Sequence, residues 1–136
     1  MVVKILLGLA IVLLVLMAYV RLSPNDPARF HVEVAATPQR MAGGVIEVIP
    51  GDAETVQALD RIARATPRTR LFAGSPTGGH VTYITRTAFW GFPDFTTVQQ
   101  RDDQIVIYAR LRFGRGDMGV NSARVSDWLQ RLQTVE

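Results

Sequence analysis

Five arginines are the first groups in this sequence that could do chemistry. Arg110 and Arg112 alternate with Tyr108 along one strand face, Arg86 falls on a neighbouring strand, and Arg115 and Arg124 follow close behind. Clustered, they would make a cationic patch able to recognise an acidic group: a lipid phosphate, a cell-envelope polymer or a partner's carboxylates. The structural alternative is a solvated face in which they pair with Asp94, Asp102, Asp103 and Asp117. Arg86, Arg110, Arg112, Arg115, Asp117, Asn121 and Arg124 are therefore the candidates for holding an anion or other ligand.

Gly114, Gly116 and Gly119 spell G-x-G-x-x-G between a strand and a helix. Dinucleotide binding needs a second parallel strand bearing an acid about 20 residues on, and a helix occupies that stretch instead. The weaker reading is a glycine loop whose backbone N–H groups face an anion, with Arg115 beside it. Asp117 opposes such use unless an arginine neutralises it. In the structural alternative the glycines take left-handed turns while Asp117 pairs with an arginine or caps amides. Asp94 and Asp117 could also converge as an acid/base pair, the basis for a small hydrolase, although carboxylates in turns commonly satisfy backbone donors. No catalytic residue is assigned.

His31 and His80 are far apart in sequence and lack a partner at ligand spacing, so no metal site is expected. With no cysteine, disulfides, thiolate chemistry and Cys-ligated zinc or iron–sulfur centres are excluded. Nucleophile-elbow, Walker and zinc-protease motifs are missing, and no cofactor is expected. The +3 net charge arises partly from Lys4 and Arg21 beside an apolar run, and Arg61, Arg64, Arg68 and Arg70 read as a solvated helix end, so no nucleic acid is expected. Phe89, Trp90 and Phe92 form an aromatic turn that either closes the core or docks a partner or membrane.

These groups must be held by elements that periodicity and punctuation locate. Residues 5–20 carry no charge and cover roughly 24 Å as a helix. Val2, Val3 and Leu22 extend the run if Lys4 snorkels, and Tyr19 and Arg21 mark the far interface. A cleaved signal peptide competes with this reading, but Leu16 stands where a cut after Ala18 needs a small residue. The expected organisation is a transmembrane signal anchor over 1–22, a proline-bearing linker or irregular segment over 23–44, and one domain over 45–136. The lipid bilayer meets residues 3–22. Counting positive charges alone would leave the domain in the cytoplasm, whereas a short tail before a signal-like segment favours translocation.

Within the domain, residues 45–49 read as a strand, and Asp52 caps a helix running to about Ala65 that Pro67 stops. Strands follow at 69–73, 80–87, 95–99 and 104–113, in two hairpins. In the last strand Ile105, Ile107, Ala109, Leu111 and Phe113 form the core face, and the face with Val106, Tyr108, Arg110 and Arg112 is partly wet. Asn121 or Ser122 caps a final helix whose apolar stripe includes Trp128. The order β-α-β-β-β-β-α implies an α+β fold: an antiparallel sheet of four to five strands with two helices packed on one face.

The segments Gly91-Phe92-Pro93-Asp94-Phe95 and Ile107-Tyr108-Ala109-Arg110-Leu111-Arg112-Phe113-Gly114-Arg115-Gly116-Asp117-Met118-Gly119-Val120-Asn121, with Arg124, carry a resemblance. Together they resemble the C-terminal signature of the domain-of-unknown-function family 1499, over about residues 80 to 133. Many members begin with a Cys-Pro-x-x-Pro-Asn-Cys motif that this chain lacks, so it is similar to the short, N-terminally anchored bacterial members. The resemblance implies a fold and no activity. The function expected is a non-enzymatic binding domain in the bacterial inner membrane facing the periplasm, an accessory or scaffolding subunit with a membrane-protein partner. The alternative is a binder or sensor of anionic lipid or polymer through the arginine face.

Overall fold

Alternating apolar residues, tight turns and two capped amphipathic stretches give the computed structural model, which describes residues 1–135. The elements are α1 (Val2–Leu22), α2 (Pro27–Phe30), β1 (Gln39–Met41), β2 (Gly44–Pro50), α3 (Ala53–Ala65), β3 (Thr69–Ser75), β4 (His80–Arg86), β5 (Pro93–Arg101), β6 (Gln104–Leu111) and α4 (Val120–Val135). The fold is α+β, with six strands rather than four to five, in the order β1-β2-β6-β5-β4-β3. All neighbouring pairs are antiparallel. The additional strand is β1, three residues paired with β2 across the Ala42-Gly43 turn and too short to show a period.

Strands β3 to β6 form a meander, and α3 carries the chain from β2, beside β6, to β3 on the opposite edge. Asp52 caps α3 by accepting from the Glu54 and Thr55 amides, while the Thr55 hydroxyl oxygen accepts from the Asp52 amide. Val56, Leu59, Ile62 and Ala63 of α3 meet Val125, Trp128 and Leu132 of α4 over Val45, Val81, Tyr83, Val98, Ile105, Ile107 and Ala109 of the sheet. This is the main core. Trp128 lies edge-on to Tyr83 with ring centroids 5.8 Å apart and donates its indole N–H to Thr66 Oγ1 at 3.0 Å.

The opposite sheet face is drier than expected, with Tyr108 and Arg112 still partly exposed. Val106 is fully buried and Arg110 nearly so, because residues 23–34 lie across that face. Asp26 caps the single turn of α2, with Pro27 at its first position, and delivers Phe30 onto Phe95 in a parallel stack at 4.1 Å. Phe30, Ile84, Phe95 and Phe72 form a second, smaller core. Two helices cover only one side of a six-stranded sheet, so the apolar residues on the other side require this second cover.

Helix α1 presents its apolar side chains outward and is long and apolar enough to cross a membrane. Its last turn bends into the domain, where Val20 is buried.

Phe30→Ala tests whether residues 23–34 are tether or structure. Loss of the Phe95 stack is expected to cost about 3–5 kcal/mol in denaturant unfolding of the full chain in detergent. A change near zero would show that the segment contributes no packing.

Candidate functional site

The arginines expected to form a patch are divided by the sheet. Arg110, opposite Phe95 in register, is buried under the N-terminal segment with no carboxylate partner among the described residues. Its guanidinium donates to Thr97 Oγ1 at 2.8 Å, to the Tyr108 carbonyl at 3.0 Å and to the Phe30 carbonyl. The Tyr108 ring lies 4.4 Å from its charge. Burial lowers its pKa to about 10, which leaves it cationic at neutral pH.

A guanidinium only donates, so Thr97 is free to direct its hydroxyl to Thr82 Oγ1 at 2.8 Å, and Thr82 in turn to His31 Nδ1 at 2.7 Å. In that direction His31 is neutral and accepts at Nδ1. Burial lowers the His31 pKa, with His80 and Arg110 acting in the same sense. The two histidines, isolated in the sequence, are neighbours: their rings stack at 4.0 Å, and His80 Nε2 lies 3.0 Å from the Val32 carbonyl. Gln99 accepts from the Val34 amide and donates to Glu33.

Arg112, just beyond β6, fastens the chain nearer α1. It donates to Asn25 Oδ1 at 2.6 Å and to Ser23 Oγ at 2.9 Å. Arg86 donates to the Gly91 carbonyl at 2.8 Å and lies 3.5 Å from the Val20 carbonyl in the last turn of α1. Arg21 donates to the Phe89 carbonyl at 2.7 Å. Gly91 has φ +74, and a Cβ there would meet the Arg21 side chain at 2.9 Å, so the aromatic turn closes directly on the helix end.

A second network unites Asp94, Arg124, Asn121 and Asp117. Arg124 bonds Asp94 at 3.2 Å, with both side chains about nine-tenths buried, and also Asn121 Oδ1 at 2.6 Å. Asp117 accepts from the Gly119 amide at 2.9 Å and from the Asn121 amide and side chain at 3.0 and 2.7 Å. Asp117, rather than Asn121 or Ser122, thus satisfies the first amides of α4, and Asn121 is buried inside the helix. Gly114 and Gly119 take φ +95 and +80, and the Gly119 and Asn121 amides at the start of α4 are held by the Asp117 carboxylate. Burial raises the pKa of Asp94, with Arg124 opposing and Asp117 adding. Burial also pushes Asp117 upward, but its hydrogen bonds from Asn121 and Gly119 outweigh it and hold the carboxyl below its ordinary value.

Above this network a cleft of about 400 Å³ opens between Phe92, Leu111, Phe113, Met118 and Val120, with Asp94 and Asp117 also on its wall. The aromatic turn flanks it: Phe89, Trp90, Phe92 and Phe113 follow one another at 5.2, 6.3 and 6.2 Å, and Tyr19 of α1 meets Phe113 edge-on at 6.3 Å. The structure joins Phe89, Trp90 and Phe92 to this end and keeps Arg110 on the covered sheet face, while Arg112 lies between the two, its guanidinium 4.6 Å from the Phe113 ring centroid and 5.7 Å from that of Phe30. Arg115 is exposed on the glycine loop. Sequence reasoning missed Tyr19, Arg21, Phe30, Phe113 and Met118 as parts of these sites. Asn25-Asp26-Pro27, a capped-turn signal, could have flagged the segment that delivers Phe30.

A family model described as Protein of unknown function (DUF1499) matches residues 20–132, from the last turn of α1 through the second network. No curated protein matches the chain.

Asp117→Ala is expected to destabilise the domain by about 1–2 kcal/mol at pH 7, the usual cost of a lost cap. With the folded pKa below the ordinary 3.8, this contribution is complete above that pH and is lost as pH falls through the folded value. Unfolding curves of wild type and variant should therefore converge in acid; a gap that persists below that range would contradict the carboxylate's role.

Proposed function

The chain belongs to the family of proteins of unknown function DUF1499, and from that footing we propose that it is a single-pass, membrane-anchored, non-enzymatic binding domain. It serves as an accessory or scaffolding subunit of a membrane complex in the bacterial cell envelope. The observation that carries this reading is the fastening of the domain to the end of α1. Arg21 holds the Phe89 carbonyl, Arg86 lies against the Val20 carbonyl, and Arg112 holds Ser23 and Asn25. A domain that samples space on a flexible linker has no use for such bonds. One that presents a surface at fixed height and angle to a neighbour in the same membrane does.

That surface is the aromatic turn and the adjoining cleft, apolar on most of its wall. Residues 5–20 of the helix carry no Asp, Glu, His, Lys or Arg, which argues for anchorage over ion or proton transfer. A hydrolytic role draws little support, because Arg124 engages Asp94 and three N–H groups engage Asp117. Recognition of anionic lipid through the arginine face is also disfavoured: Arg86, Arg110, Arg112 and Arg124 already hold acceptors within the protein.

We place the domain on the periplasmic side of the inner membrane, on the strength of the short tail with Lys4 ahead of an apolar, signal-like run. A C-terminal alkaline phosphatase fusion should then be active; an inactive one beside a glowing fluorescent fusion would reverse the orientation. For the binding role, full-length protein purified in mild detergent should carry one membrane protein in stoichiometric amount by mass spectrometry, and Trp90→Ser should lose it while remaining folded. Enrichment of an anionic lipid with no protein would instead favour the alternative reading.

A further inference from the structure

The end of the domain nearest α1 exposes large apolar side chains that the fold itself does not use. Met118 is 100% exposed, Phe89 68% and Val120 46%. Met118 also has φ +51, a left-handed conformation that costs energy for any residue with a Cβ, and it stands next to Gly119, which could adopt that conformation freely. A fully exposed methionine in a strained turn has no role in the folded domain's own packing.

These side chains are continuous with the membrane helix. The ring sequence Tyr19, Phe113, Phe92, Trp90, Phe89 starts on the last turn of α1 and ends at the most exposed aromatic side chain. Met118 and Val120 border the same cleft as Phe92 and Phe113. The end of a spanning helix lies at the boundary between hydrocarbon and headgroups, where aromatic rings concentrate. Phe89 is four ring contacts from Tyr19, but its carbonyl accepts from Arg21 at 2.7 Å, so its backbone sits against the helix end and its side chain is within reach of the roughly 5–10 Å depth to which interfacial elements sink. The flanking cations suit the same place, with Arg21 at the helix end and Arg115 exposed on the glycine loop.

We propose that Phe89, Met118 and Val120 form a second membrane contact, sunk into the interfacial layer of the lipid bilayer beside α1, so that the domain is seated on the membrane at two places. The occupant of this apolar end is lipid. The proposal rests on the membrane-anchor reading above and adds to it: a single helix leaves a domain free to tilt, and a second seat removes that freedom. A protein partner would then meet the aromatic turn from within the membrane plane.

The absence of native cysteine makes the test direct. Full-length Phe89→Cys, Met118→Cys, Val12→Cys and Asp103→Cys variants are each spin-labelled and reconstituted in vesicles of phosphatidylethanolamine and phosphatidylglycerol. Collision with oxygen, which partitions into lipid, is compared with collision with a water-soluble nickel chelate. Asp103 lies in the β5–β6 turn, at the far end of β5 from Phe92 and about 30 Å away. Labels at 89 and 118 are expected to show an oxygen-to-nickel ratio several-fold above that at 103, approaching that at 12. If 89 or 118 matches 103 while 12 remains in lipid, the second seat is wrong and the anchor stands. A label at 12 that collides freely with nickel overturns the anchor as well.

Discussion

A buried guanidinium satisfied by hydroxyl and carbonyl oxygens is the constraint around which this domain is organised. Arg110 stands on the sheet face that α3 and α4 leave open, where burial without compensating bonds would be costly. Its acceptors come from two sources: Thr97 and the Tyr108 carbonyl on the sheet, and the Phe30 carbonyl on the segment that follows α1. Covering the sheet and satisfying the arginine are therefore one event. Once Phe30 is in place, its ring stacks on Phe95, the threonine relay reaches His31, and Gln99 holds Glu33 and the Val34 amide.

The same residues turn what looks like a tether into a mechanical connection. Arg112 and Arg86 repeat nearer α1 what Arg110 does at the sheet centre, each binding backbone or side-chain oxygen of the incoming chain. Several modest bonds in series, with Phe30 packed between them, restrict the segment more than any one alone, because ordering it costs conformational entropy only once. Mechanical coupling from α1 into the sheet follows, and the aromatic turn is held at the junction by Arg21.

Much of the residue pattern shared with the family proves to be architecture. Asp94, Arg124, Asn121 and Asp117 join the start of β5 to the start of α4 and close the glycine turn between them. The glycine spacing that suggested an anion cradle supplies the left-handed turns that bring Asp117 onto the amides. The chemistry available at the exposed surface lies elsewhere, in apolar side chains around a cleft whose floor carries carboxylates already bonded.

The sequence by itself determined the local elements: the apolar helix, the Asp52 cap, both hairpins, the stripe containing Trp128 and the α+β class. Their causes act over a few residues, through side-chain period, capping and turn geometry. The aromatic turn and the Asp94 to Arg124 signature were legible as residues of interest, but their partners were not. Tertiary structure alone decided that β2 joins β6, that His31 meets His80, and that Val106 and Arg110 on the second face of β6 are buried. Alternation places Arg110 opposite the core residues but cannot say whether that face meets water or another stretch of chain. The answer rests with a carbonyl 80 residues away, brought there by the closure of the whole sheet.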